Sequence, residues 1–204
     1  MSSYLQALRA IFERTDMERG ERPPYASRIW RLDRVHELLA QLGNPHRAYP
    51  SVHVAGTKGK GSTTAIIESV LRHAGYRTGM YTSPHLHTFR ERIRLDGEPI
   101  SEEQVVEWMG RLKPLLDERP ELTVFEIITA LAMCCFADCR VDWGVFEVGL
   151  GGRLDATNVL EPQVATITSV SLDHMKVLGD TLAAIPAEKA GIIQPETPGV
   201  SAPQ

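Results

Sequence analysis

The chain has 204 residues, 43% apolar and 24% charged, with a formal net charge of −4. That composition suits a globular protein able to bury a real core, as one domain or as a large domain lacking a part. The mild acidic balance argues against nucleic acid as the main partner, because phosphate-backbone binders carry basic faces.

The opening MSSYLQALRAIFERTD carries charges throughout, so it is neither a signal peptide nor an anchor, and no apolar run approaches the ~18 residues of a membrane span. A cytoplasmic protein without a membrane partner is expected. Tyr4–Arg14 reads as a short amphipathic helix with Leu5, Leu8, Ile11 and Phe12 on one face, and TDMERGERPPYAS as a loop by composition. Leu32, Val35, Leu38, Leu39 and Leu42 resume helical spacing until Gly43-Asn44-Pro45 stops it. A strand over Val52–Ala55 precedes a glycine turn and a helix from about Lys60 to Ala74. Arg77–Tyr81 reads as a second strand, and Glu91–Leu95 as an exposed strand or hairpin arm closed by Asp96-Gly97. Ser101 before Glu102, Glu103 and Gln104 is an N-cap with an acidic first turn. Thr123–Cys139 is apolar nearly all round, hence a buried helix. It holds Cys134, Cys135 and Cys139, whose odd count and lack of paired spacing point to reduced thiols. Val141–Val148 and Val164–Val170 read as strands and Leu182–Ile193 as a helix. The predicted fold class is α/β: a mostly parallel sheet with helices on both faces.

The stretch SVHVAGTKGKGSTT (Ser51–Thr64) carries the most chemistry. Glycines let backbone N–H groups converge on an anion, and a helix N-terminus adds partial positive charge. A lysine reaches the β/γ oxygens of a nucleotide, and a hydroxyl can face its metal. The strict pattern GxxxxGK[ST] is not met. Val54 stands at the first glycine position, and Gly61 stands where Ser/Thr is required, with Ser62 one place later. The alternative is a plain glycine-rich strand-to-helix turn with solvated lysines; a variant phosphate loop accounts for more of the residues.

In such folds the ligand lies beyond the carboxyl ends of the strands. The residues expected to converge there are the glycine loop after the first strand and Ser83 and His85 after the second. Glu147, Gly149, Gly151, Gly152, Arg153 and Asp155 follow the third, and Ser171, Asp173 and His174 the fourth. Glu147, at the tip of an apolar strand, stands where phosphate-transfer sites place a magnesium ligand or the group that orients its water. The glycines after it permit close backbone approach, and Arg153 can hold a carboxylate at two points. His174 and Ser83, judged alone, read as structural residues, since a serine before proline commonly caps a turn. Lys189 shares a helix face with Ile185 and Ile192. It either snorkels or is buried and must be neutralised or modified.

Nine motifs occur in order: LGNP (Leu42–Pro45), HVAGTKGKGS (His53–Ser62), TSPHL (Thr82–Leu86), ERI (Glu91–Ile93), FE (Phe125-Glu126), EVGLGGRLDATN (Glu147–Asn158), SLDH (Ser171–His174), LGDT (Leu178–Thr181) and EKAGII (Glu188–Ile193). Together they resemble the dihydrofolate synthase/folylpolyglutamate synthase family of the Mur ligase superfamily, from about Leu32 to Gln204. The resemblance implies a Mur ligase central-type domain and an ATP-dependent ligase joining L-glutamate to dihydropteroate or folate through an acyl phosphate. It implies ATP at Gly56, Thr57, Gly59, Lys60, Gly61 and Ser62, and Mg2+ at Ser83, Glu147 and His174, with a monovalent cation such as K+ as a further ligand. It also implies catalytic roles for Lys60, Glu147, His174 and a carbamylated Lys189, and a pterin neighbourhood of Arg28, Thr123, Leu154, Asp155 and Ala156. Lys58 stands where the family carries asparagine. Family chains are about twice as long, so the sequence reads as the N-terminal part of a ligase that is monomeric when complete. On that reading the glutamate-presenting domain lies outside it, and it is expected to bind nucleotide poorly and to be inactive alone. Rival readings are a peptidoglycan Mur ligase, a GTPase-type switch (for which DxxG and NKxD are missing), and a non-catalytic nucleotide- or pterin-binding remnant.

Overall fold

The computed structural model describes residues 2–16, 31–171, 175–178 and 184–203; Arg28, Asp173 and His174 lie outside them. In chain order the elements are α1 (Ser3–Phe12), α2 (Asp33–Gln41), β1 (Ser51–Ala55), α3 (Lys60–His73), β2 (Thr78–Tyr81), β3 (Ile93–Leu95) and β4 (Glu98–Pro99). They continue as α4 (Glu102–Asp117), α5 (Val124–Asp138), β5 (Trp143–Glu147), β6 (Val164–Ile167), α6 (Met175–Leu178), α7 (Ala184–Ala190) and β7 (Gly199–Ser201). The strands form one seven-stranded sheet ordered β4-β3-β2-β5-β1-β6-β7. Strands β2, β5, β1, β6 and β7 run parallel to their neighbours. Strands β3 and β4 add an antiparallel hairpin on β2.

Alternation along the central strands explains why helices cover both faces. Val52, Val54 and Val145 point to one face, where Ile67 and Leu71 of α3 pack. Tyr81 and Phe146 point to the other, against Phe136 of α5. Gly79 lets that ring reach the sheet, because a Cβ there would lie 2.6 Å from Phe136. Helix α5 is apolar all round because it lies between the sheet and a further layer made by α1, α2 and α4. Its cysteines are free thiols, and burial pushes Cys134 up to about 12.

Helix starts follow their sequence signals. Ser101 caps α4 and Thr123 caps α5, each in a reciprocal box with the residue three places on, Gln104 and Glu126. Pro186 is tolerated because it lies in the first turn of α7, where its missing amide has no helical partner. The Glu91–Leu95 region does supply a hairpin arm closed by Asp96-Gly97, with β3 antiparallel to β4, but it is not exposed. Glu91 lies in a short 3-10 turn (Phe89–Arg92), and only Ile93–Leu95 is strand. Ile93 is wholly buried because that strand pairs with β2 on one side and β4 on the other.

At the amino end of β1, His46 is buried, and neither ring nitrogen has a hydrogen-bond partner among the described residues. Burial, helped by the charges of Arg47 and His36, lowers its pKa from 6.5 to about 4. The unfolded chain therefore takes up a proton at this residue from about pH 6.5 downward, while the folded chain does so only near pH 4. Folding stability is expected to fall across that window, and His46→Phe to flatten the slope; urea denaturation at stepped pH measures both.

Candidate active site

The carboxyl ends of β1, β2, β5 and β6 meet above the N-terminus of α3. Strand β1 runs into Gly56–Gly59, and Gly59, in the left-handed region at φ 82°, stands immediately before Lys60, the first residue of α3. Gly56 has φ 146°, and a Cβ on it would lie 1.8 Å from the Thr168 hydroxyl. That hydroxyl directs its single proton to the carbonyl of Lys58 (2.8 Å), with the more distant carbonyl of Ala55 (3.3 Å) sharing it. The Thr57 amide donates to Ser169 O at 2.8 Å. The Thr57 hydroxyl donates to Ser171 O and accepts from Ser171 N, both at 3.1 Å. The loop is thus bound along one side to the segment after β6, which leads towards His174. Thr57, expected as an ATP contact, directs both its amide and its hydroxyl into that seam. Gly59, Lys60, Gly61 and Ser62 lie at the open end, where the uncapped amides of the 14-residue helix α3 and its dipole favour an anion. Lys58 is exposed beside them.

Glu147 ends β5, is 5% exposed, and accepts the Ser83 amide at 3.0 Å. Its carboxylate oxygens lie 3.4 and 3.5 Å from the position of a Cβ on Gly61. The acidic tip, the Ser83 turn and the phosphate loop, far apart in sequence, therefore share one place. The segment after Ser83 is held by Glu91, whose carboxylate accepts the amides of Leu86 (2.8 Å), His87 (3.0 Å) and Thr88 (2.8 Å). Those amides lower its pKa to about 2. The stabilisation is complete above the ordinary value of 4.5 and is lost as pH falls towards 2, so Glu91→Gln is expected to remove an acid-sensitive component of the unfolding curve. His85 accepts a 2.8 Å hydrogen bond from buried Arg92.

Behind the site, Gly149 lies against Phe125 at the start of α5; a Cβ there would meet the ring at 2.5 Å. Asp155 is buried. Its Oδ2 accepts Leu150 N (2.8 Å), and its Oδ1 accepts Thr157 N (3.0 Å) and the Thr157 hydroxyl (2.5 Å). Burial pushes its carboxyl up, against the downward pull of those donors and of the Gly149 amide. Of the other residues expected around a pterin, the Thr123 hydroxyl accepts Glu126 N as the cap of α5, and Ala156 belongs to the main core. Leu154 packs against the apolar cluster of Leu150, Val177, Leu178 and Ile185.

Arg153 does grip a carboxylate at two points, but the carboxylate is Glu188 of α7, with bonds of 2.8 to 3.2 Å. Lys189 does not snorkel. It is 2% exposed, and its Nζ donates to Gly56 O at 2.9 Å, directly under the phosphate loop. Sequence reasoning missed the roles of Thr168, His53 and Thr157: the last two lie within quoted motifs, but their hydrogen-bond partners come from distant segments.

Residues 54–200 match the Mur ligase middle domain. The chain is 48% identical over 177 residues to the dihydrofolate synthase/folylpolyglutamate synthase of Bacillus subtilis, covering 84% of this chain and 41% of that one. The structure of Mycobacterium tuberculosis folylpolyglutamate synthase complexed with ADP superposes with a TM-score of 0.86 at 40% identity, over 99% of this chain and 45% of that one. A folylpolyglutamate synthase–AMPPCP–folate complex gives 0.86 at 38% identity, over 97% and 48%. The chain thus spans less than half the length of each of these relatives. No described helix is long and apolar enough to cross a membrane.

Proposed function

Because the chain belongs to the Mur ligase middle-domain family, we propose that it forms the ATP-binding part of a ligase that joins L-glutamate to dihydropteroate or a folate. The observation that carries this reading is the meeting of Gly61, Ser83 and Glu147 at the mouth of a pre-shaped phosphate loop. The relatives' ADP, AMPPCP and folate complexes supply the ligand classes.

In this reading the α3 amides from Gly59 onward and the Lys60 ammonium hold the β and γ phosphates, and Lys60 follows the charge onto the γ group as it leaves ADP. A carboxylate is a poor acyl donor. Transfer of the γ phosphoryl to the pterin-linked carboxylate gives it a phosphate leaving group, which the glutamate amine displaces. A buried carboxylate beside a serine fits a hard divalent cation. Glu147 and Ser83 would hold Mg2+ with His174, which lies outside the described residues. When bound, that ion neutralises charge on the β and γ oxygens. Lys189 fixes the Gly56 carbonyl, and with it the direction in which the loop leaves β1. Its carbamylation would need the neutral amine: CO2 would add to the Nζ lone pair and one N–H proton would leave, with the remaining N–H still able to donate to the Gly56 carbonyl. By the family resemblance Arg28, which lies outside the described residues, would contribute to pterin binding together with Leu154, Asp155 and Ala156. The complete ligase is proposed to be a cytoplasmic monomer, with the glutamate-presenting domain contributed outside these residues.

The test is phosphate release by the full-length protein with Mg-ATP, L-glutamate and, in separate reactions, dihydropteroate, a reduced folate and a UDP-muramoyl acceptor. Release dependent on both glutamate and a pterin substrate is expected, with Lys60→Ala lowering kcat on the order of 10²-fold or more. Turnover with the muramoyl acceptor instead would overturn the substrate assignment.

A further inference from the structure

His53 is the central residue of β1 and wholly buried, beside Phe146 of β5 and Ala165 of β6. Its Nε2 lies 2.8 Å from the Thr157 hydroxyl, and its Nδ1 has no hydrogen-bond partner among the described residues. The Thr157 hydroxyl has one proton, which goes to Asp155 Oδ1 at 2.5 Å. The other Asp155 oxygen accepts the Leu150 amide, three residues after Glu147. With its proton committed to Asp155, the Thr157 oxygen can only accept from the imidazole.

We infer that His53 is a positioning residue for the proposed ligation: as a neutral ring protonated at Nε2, it fixes Thr157, and through it Asp155 and the turn that follows Glu147. The inference rests on the reading of Glu147 as part of the active site. The opposite proton order would need a protonated Asp155 and would leave an N–H at Nδ1 buried with nothing to donate to. An orphaned donor is less readily tolerated than an orphaned lone pair. Burial pushes the Asp155 carboxyl up, but the four donors that face it, the Thr157 hydroxyl among them, pull the other way and are best met by a carboxylate accepting at both oxygens. The first order rests on that geometry and on the bare Nδ1. Burial also keeps the ring neutral. The chain of bonds ties the strand that delivers the phosphate loop to the turn just beyond the metal-binding carboxylate. A shift in β1 is thereby transmitted to both halves of the site.

Two measurements test this. Nitrogen-15 NMR of the His53 ring is expected to show a protonated Nε2 and a bare Nδ1. Amide exchange is then followed at Leu150, with Val145 as an internal reference for global stability. His53→Leu and the near-isosteric Thr157→Val are each expected to speed Leu150 exchange at least about tenfold beyond any change at Val145. The double variant adds nothing further, and His53→Gln, whose amide reaches the Nε2 position, stays within about threefold of wild type. In the full-length protein, kcat follows the same order, and His53→Gln recovers turnover even where its melting temperature matches that of His53→Leu. A ring protonated at Nδ1, or Leu150 exchange that changes only in step with Val145, would overturn the inference. Neither readout needs ATP or a pterin, so wild-type inactivity would count against the ligase reading and leave the exchange result standing.

Discussion

Gly56→Ala is expected to abolish nucleotide binding and to destabilise the fold by about 3–5 kcal/mol, from a strained left-sided backbone together with overpacking. Two independent features require glycine there. The φ of 146° is one that side-chain-bearing residues rarely adopt, and a Cβ would sit 1.8 Å from the Thr168 hydroxyl and 2.9 Å from its Cβ. Thr168 cannot simply turn away, because its hydroxyl holds the carbonyls of Ala55 and Lys58. Either β1 ends differently or the seam with the post-β6 segment opens. Both outcomes displace the α3 amides from a polyphosphate. Chemical denaturation reads the stability, and titration calorimetry of the full-length protein with Mg-ADP reads the site. Adding Thr168→Ala to Gly56→Ala is expected to recover only part of the loss, since it removes the hydroxyl clash but not the backbone strain. Full recovery would show that the clash alone matters, and unchanged binding in the single variant would remove Gly56 from the nucleotide site.

Glu147→Gln is expected to leave the fold intact and to cost on the order of 10²–10³ in the kcat of ligation, the scale of losing one preorganised charge-stabilising group. The amide keeps the shape of the acid and one oxygen able to accept the Ser83 N–H, so the turn at Ser83 stays in place. What disappears is a negative charge, almost out of water, facing the mouth of the phosphate loop. Melting temperature within a few degrees of wild type, with turnover lost, is the expected pair of readings. If turnover persists, the carboxylate supports the Ser83 turn and nothing more.

Some of this site was legible in the sequence because its signals are local. A β-branched run, glycines and a lysine over a few residues specify a strand, a turn and a helix start, and Glu147 closes an apolar run that can only be a strand. The sheet's carboxyl-end rule then placed Ser83 and Glu147 together. Partnerships across the fold left no such trace. Arg153 looked available for a substrate because nothing near it in sequence reveals Glu188 of α7. Thr57 looked like a phosphate contact because its seam partners, Ser169 and Ser171, come from beyond β6. Lys189 had two readings that only the location of the Gly56 carbonyl separates. The hairpin arm closed by Asp96-Gly97 was legible, but its burial was not, because burial of Ile93 depends on the neighbouring strand and not on its own alternation. His53 is the extreme case, a polar residue inside a buried strand whose partner comes from a distant turn.

The two borders of the sheet are chemically unlike. At one, β4 is only two residues long and ends in Pro99, which has no amide to offer an incoming backbone. At the other, β7 is parallel, exposed along its length and carries an uncovered Val200. Lateral growth of the sheet is consequently one-way. Among the described residues, an extra strand, whether from a longer polypeptide or from a neighbouring molecule at high concentration, has a receptive border beside β7 and not beside β4.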